Sequence, residues 1–176
     1  MDLTLRAYLD ADWARLNELA KRNNTCRKWH SHFSPRFAPV TLIRLAQFSR
    51  LKDFQTIAKI FSLLNFLIFK IEVPTSLKIG PGLVIPHPQG TVLGAQEIGA
   101  NVTIFHQVTL GGKAADFSYD LSQRPKVCDG VTLSVGSKIL GPLTVGKGAI
   151  IGANAVVLED IPAGVTAVGI PAKAIR

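Results

Sequence analysis

Aliphatic residues in the C-terminal part of the chain return every six positions. Val73, Ile79, Ile85 and Thr91 open the series; Ile98, Ile104 and Leu110 continue it after one inserted residue. After a loop come Val127, Leu133, Ile139, Val145, Ile151 and Val157. Gly directly follows the aliphatic residue at 80, 99, 111, 146 and 152. A second apolar or small residue falls four positions after it, as at Leu77, Leu83, Val102, Val108, Val131, Ser137, Leu143, Ala149 and Ala155. A six-residue period fits neither an α-helix nor a plain alternating strand. It fits a solenoid whose flat sides are short strands and whose corners need small residues.

The N-terminal part has a different rhythm. Leu5, Tyr8, Leu9, Trp13, Leu16 and Leu19 predict a helix over about 3–21. Ser34-Pro35, a good N-cap and first-turn pair, predicts a second over 35–51. A third, over 53–71, opens on Asp53 and carries Phe54, Ile57, Ile60, Phe61, Leu64, Leu67 and Ile68. Its second half, FSLLNFLIFKI, is apolar nearly all round, but Lys59, Asn65 and Lys70 leave it short of the ~20 apolar residues of a membrane span. Burial against a subunit or the solenoid is the plain reading, and shallow seating on the inner membrane face is the alternative.

Composition sharpens this division. The 176 residues are 47% hydrophobic and 18% charged, which suits one well-buried domain and excludes disorder. All fifteen Gly lie beyond residue 72, so the chain divides into a helical part, 1–72, and a repetitive part, 73–176. The net charge is +8, and it is uneven. Residues 1–72 hold 12 Lys+Arg against 6 Asp+Glu, whereas residues 73–176 hold 8 against 6. The sequence has no helix-turn-helix signature, RNP-like strand or aromatic platform, so nucleic acid is set aside as a partner. Cys26 and Cys128 cannot make a disulfide framework, and the acidic, amphipathic start MDLTLRAYLDADW is no secretory signal. The expectation is a cytoplasmic protein with possible membrane association.

IGPGLV, IGANVT, VGKGAI and IGANAV resemble the hexapeptide repeats of the left-handed parallel β-helix acyltransferases. The resemblance covers 73–176 and closes on a terminal segment, 163–176, containing GVTAVGIPAKAIR. SPRFAPVTLIRLAQF in the helical part is similar to the serine O-acetyltransferase branch, which includes bacterial polysaccharide O-acetyltransferases of comparable length. The implied fold is mainly β: a left-handed parallel β-helix preceded by an α-helical N-terminal domain.

In such a coil three hexads make one turn, so hexads three apart share a face. His87 and His106 each take the third position of their hexad and should stack on successive rungs, about 4.8 Å apart. Val135 should lie above His106, with the inserted residue absorbed near 94–97. Two charged rings so close would repel, which favours a neutral imidazole as general base for a hydroxyl. IPHPQGTVLG resembles the catalytic segment of serine acetyltransferases, and its His falls on His87. His106 is a candidate for a direct or a tuning role. The resemblance implies acetyl-CoA as donor, an oxyanion held by backbone N–H groups near Gly112, and a homotrimer with coenzyme grooves between subunits. Carried over by motif, the groove positions are Gly112, Val135, Gly136, Ala153 and Lys173, with Arg176 a further cation for phosphate. No metal is implied, and buried or inert thiols suit the two cysteines better than nucleophiles do.

The pattern breaks at the acceptor. Serine acetyltransferases place an Asp before the catalytic His, where this chain has Pro86. They also carry a second His in a segment resembling SQRPKV, where this chain has Arg124. Loop 113–126 is the largest interruption of the repeat, and its Arg124 and Lys126 suit a carboxylate or phosphate. Asp10 and Asp12 are candidate acceptor contacts by analogy alone. The expectation is therefore acetylation of a sugar hydroxyl in a cell-surface polysaccharide or its precursor, with serine as the alternative acceptor. Two rivals are weaker. A zinc hydratase on the same solenoid needs three converging His, and only two lie in the repeat. A silent scaffold conflicts with the intact HPQG segment.

Overall fold

The computed structural model describes residues 4–23, 26–114 and 119–175. Beyond residue 70 the chain winds into a three-sided coil of short strands stacked as three sheets. One face holds Ile71–Glu72, Thr91–Leu93, Thr109–Gly111, Lys138–Leu140 and Val156–Val157. The second holds Lys78–Ile79, Glu97–Ile98, Lys126–Val127 and Thr144–Val145. The third holds Thr103–Ile104, Thr132–Leu133, Ile150–Ile151 and Thr166–Val168, closed by the antiparallel Lys173–Ile175.

The hexad explains these faces. Its aliphatic residues point inward as three columns: Ile79, Ile98, Val127, Val145 and Ile161; Ile85, Ile104, Leu133, Ile151 and Ala167; Val73, Leu93, Leu110, Ile139 and Val157. Each is buried, and each large one contributes about 1.5–3 kcal/mol. The glycines after the first of these columns have a steric cause. A Cβ on Gly80 would meet the Ala100 nitrogen at 2.6 Å, and one on Gly146 would meet the Ala163 nitrogen at 2.5 Å. The next coil passes too close there for any side chain.

Two details of the period need correction. Leu93, not Thr91, fills the column position opposite Leu110, and Thr91 pairs with Ile71. The step from Ile85 to Leu93 is thus eight residues and the step from Leu93 to Ile98 is five. The extra length widens the corner that carries His87 rather than the corner near 94–97. The series also outlasts Val157: Ile161 bridges to Val145, and Ala167 pairs with Ile151.

Three helices precede the coil: α1 (Leu5–Leu19), α2 (Ala38–Leu51) and α3 (Gln55–Phe69), with a 3-10 turn at Trp29–Phe33. Thr4 caps α1 by accepting from the Ala7 N–H. α2 begins later than Ser34-Pro35 suggests, because Ser34 anchors a preceding turn and Pro39 occupies the helix's first turn. α3 begins at Gln55, after Asp53 in a left-handed conformation (φ 63°).

α3 packs in the opposite sense to its apolar stripe. Its buried residues are Ala58 and Asn65, the latter donating to the Pro39 carbonyl, because close approach to α2 needs small or bonded side chains. Ile57, Ile60, Leu63, Leu64, Leu67 and Ile68 face outward and are exposed in the single chain. No helix among the described residues is long and apolar enough to cross a membrane.

The helices dock on the first coil through a buried ion pair. Arg44 and Asp12 are both at 0% exposure and bond at 2.8 and 3.0 Å. Arg44 also donates to the carbonyls of Ile79 and Gly80, and Asp12 accepts from the Leu83 N–H. Gln47 adds a bond to the Leu77 carbonyl. Leu9, Leu16, Phe37, Val40 and Ile43 join the coil's aliphatic columns in one continuous core.

Candidate active site

Each prism edge is built from the turns between two faces. The turns between the third and first faces carry His87 and His106. The widened first turn closes with the Gln89 N–H donating to the His87 carbonyl and with Gly90 in a left-handed conformation (φ 63°). Gln107 is also left-handed (φ 59°), and its N–H donates to the Gln89 carbonyl on the rung before. The two imidazoles meet edge to face, with ring centroids 5.8 Å apart and planes at 85°. His87 is exposed and His106 half-buried. The Nδ1 of His106 is buried with no hydrogen-bond partner among the described residues.

Strand register extends this column. Ile104 lies opposite Leu133, and Leu133 opposite Ile151, which sets Val135 above His106 and Ala153 above Val135. The Gly136 N–H donates to the His106 carbonyl, and the Asn154 N–H to the Val135 carbonyl. Gly136 (φ 71°) has its Cβ direction filled by the Asn154 carboxamide. One edge therefore gathers His87, His106, Val135, Gly136 and Ala153.

Gly112, Arg124 and loop 113–126 belong to a different edge, between the first and second faces. Arg124 stacks its guanidinium 3.8 Å from the centre of the Tyr119 ring and donates to the Gly94 carbonyl. Tyr119 donates to the Ala95 carbonyl, and burial pushes its phenol up against the opposing influence of Arg124. Lys126 is ion-paired with Glu97 on the neighbouring rung, which raises the lysine's pKa. Residues 115–118 of the loop, and Arg176, lie outside the described residues. Lys173 is exposed on the closing antiparallel strand, opposite Val168.

The two candidate aspartates lie in different surroundings. Asp12 is a correction: it is wholly buried, bound to Arg44 and the Leu83 N–H, and out of reach of any substrate. Burial pushes its carboxyl up more than Arg44 and the Leu83 and Gly82 N–H groups pull it down. Asp10 is half-exposed and pairs with Arg27 at 2.8 Å and Arg6 at 3.7 Å. Among the described residues no group of three or more His, Cys, Asp or Glu is arranged to hold a metal ion.

No family model matches the chain. Individual relatives do. A serine acetyltransferase of Helicobacter pylori strain J99 is 44% identical over 133 residues, which are 75% of this chain and 76% of that one. One from Bacillus subtilis strain 168 is 37% identical over 133 residues, 60% of its length. This chain belongs to the serine acetyltransferase family. Solved structures agree. Neisseria gonorrhoeae serine acetyltransferase superposes with a TM-score of 0.83 at 28% identity, covering 99% of this chain and 67% of that one. Soybean serine acetyltransferase complexed with serine gives 0.83 at 32% identity, covering 97% and 69%.

Membership makes the chain an acetyl-CoA-dependent O-acetyltransferase on a left-handed β-helix. The relatives are named for serine. The polysaccharide branch, and with it the sugar acceptor favoured by the sequence, finds no support among them.

Proposed function

We propose that this enzyme transfers the acetyl group of acetyl-CoA to the hydroxyl of serine, with His87 as general base. The observation that carries the proposal is the exposed His87 imidazole, edge to face with His106, on a coil of this family. The serine hydroxyl gives its proton to the His87 ring as its oxygen attacks the thioester carbonyl carbon. The carbonyl π electrons move to oxygen, where backbone N–H donors stabilise the oxyanion. Collapse breaks the C–S bond, the imidazolium returns its proton to the leaving thiolate, and O-acetylserine and CoA result.

Val135, Gly136 and Ala153 continue the column beyond the histidines, and their small size suits an extended pantetheine arm. Gly112 and Arg124 sit on another edge of the same chain, so they meet His87 only across a contact between copies. We therefore assign the working unit as a homotrimer whose sites lie between neighbours, with Gly112 supplying an oxyanion donor and Arg124 facing the serine carboxylate.

A second reading, transfer to a sugar hydroxyl, keeps two supporting observations. Pro86 gives no carboxylate beside the base for an amino group, and Arg124 is a planar cation already stacked on Tyr119. Acetyl-CoA consumption measured with serine and with surface polysaccharide offered separately decides between them. Turnover on serine is expected, and a His87→Ala enzyme should lose about 10²–10⁴-fold in kcat with an unchanged melting temperature. Turnover on polysaccharide alone would overturn the serine reading; full activity of His87→Ala would overturn the mechanism.

A further inference from the structure

We propose that Lys138 is a positioning residue for acetyl transfer, acting through the turn that carries His106. The inference rests on the His87 reading above. Lys138 opens the strand Lys138–Leu140, and its ammonium reaches across the edge to two turns. It donates to the Gln107 carbonyl at 2.9 Å and to the Gly136 carbonyl at 2.7 Å. The Gly136 N–H in turn donates to the His106 carbonyl at 3.0 Å. The peptide after His106 and the turn at Gly136 are thus tied together from both sides.

Both tied turns need holding. Gln107 adopts a left-handed conformation (φ 59°) without being glycine, which favours relaxation of the turn if its partners are removed. Gly136 (φ 71°) sits in the rung above, among the small residues assigned to the coenzyme groove. A charged donor makes stronger bonds to carbonyls than a neutral one, so a single ammonium can fix the spacing of the two turns. That spacing sets the height of the His106 ring against His87, and it sets both histidines against the groove. A base misplaced by a fraction of an ångström loses rate without losing the fold. Lys138 is half-buried at the edge rather than in the core, so its removal leaves the aliphatic columns intact.

The test compares Lys138→Met, which keeps the stem and removes the charge, with Lys138→Arg, whose guanidinium can still bridge two carbonyls. For Lys138→Met we expect kcat to fall about tenfold, KM for acetyl-CoA to move less than about threefold, and melting to stay near wild type. Lys138→Arg should recover most of kcat. Wild-type kcat in Lys138→Met would overturn the inference. So would a rise in KM for acetyl-CoA with kcat intact, which makes Lys138 a coenzyme contact. A kcat loss matched by a fall in melting temperature and not recovered by Arg would also overturn it, leaving a merely structural role. His87→Ala measured alongside separates the two levels: full activity there sinks the reading beneath, whereas an inactive His87→Ala with a normal Lys138→Met sinks this inference alone.

Discussion

Arg44 and His87 both serve the first coil, one against its second-to-third edge and the other on its third-to-first edge. Around Arg44 every donor is occupied: Asp12 takes two, and Gln47, Ile79 and Gly80 take the others, with the Tyr8 ring 4.6 Å beneath. At the other edge His87 is exposed, and the Nδ1 of His106 has no partner among the described residues. A buried charge with all its bonds made fixes two elements relative to each other. An accessible ring with bonding capacity left over can take a proton from a substrate. The difference lies in how the surrounding groups are arranged, since all of these side chains are polar and titratable or charged.

Removing Arg44 gives the largest test of that contrast. Arg44→Met leaves the Asp12 carboxylate buried without its partner and frees the Ile79 and Gly80 carbonyls, at a cost of about 3–5 kcal/mol. Urea unfolding should show the loss. Adding Asp12→Leu removes the stranded charge and should recover a good part of it. Both variants keep the histidine edge, so the folded fraction should retain acetyl transfer at an undiminished kcat. A cost under about 1 kcal/mol for Arg44→Met would mean the pair does not clamp helices to coil.

The unequal legibility of these two regions has a physical cause. A solenoid writes its geometry into the sequence, because each hexad must supply one inward aliphatic residue and one small corner. Counting hexads therefore sets His87 beneath His106 and Val135 above it. Counting failed where the corner itself changed length, at Pro86–Gly90, because an eight-residue step followed by a five-residue one sums to nearly the same total. The Arg44–Asp12 pair was illegible for another reason. Its partners lie 32 positions apart, and although the period of α1 sets Asp12 on the same face as Leu9 and Leu16, nothing in it marks Arg44 as the partner. α3 was legible only in part, since Ala58 and Asn65 make its contacts within the chain while its apolar stripe does not pack on the coil. Lys138 carried no signal either, because its role depends on carbonyls in two other turns.

A smaller test asks whether the histidine edge is as firmly built as the junction. Gly136→Ala forces a side chain into a left-handed residue (φ 71°) and against the Asn154 carboxamide. The carboxamide can swing aside, so the backbone strain dominates, at about 1–2 kcal/mol. The melting temperature should fall by a few degrees. Because Gly136 also borders the His106 carbonyl, KM for acetyl-CoA should rise along with the destabilisation. Unchanged melting would show that this edge yields where the junction does not.

The smallest effect concerns a third histidine, which belongs with Arg44 rather than with His87. His32 is held from both sides, with Nε2 2.6 Å from Arg27 Nη1 and Nδ1 2.9 Å from the Thr41 hydroxyl. A guanidinium can only donate, so Nε2 accepts and the ring proton sits on Nδ1. Burial first, and the Arg27 charge second, hold the ring below its ordinary pKa of 6.5, while Asp10, itself paired with Arg27, pulls the other way. The sign follows from proton uptake. Above the ordinary value neither folded nor unfolded chain binds the proton, and stability is insensitive to this ring. As pH falls through that value the unfolded chain protonates first, so stability drops until the folded ring titrates as well. Urea midpoints at pH 7.5 and pH 5.5 should therefore differ more in the wild type than in His32→Gln, whose amide keeps a donor and an acceptor without titrating. An equal drop in both would place the acid sensitivity elsewhere and leave His32 as open in character as His87.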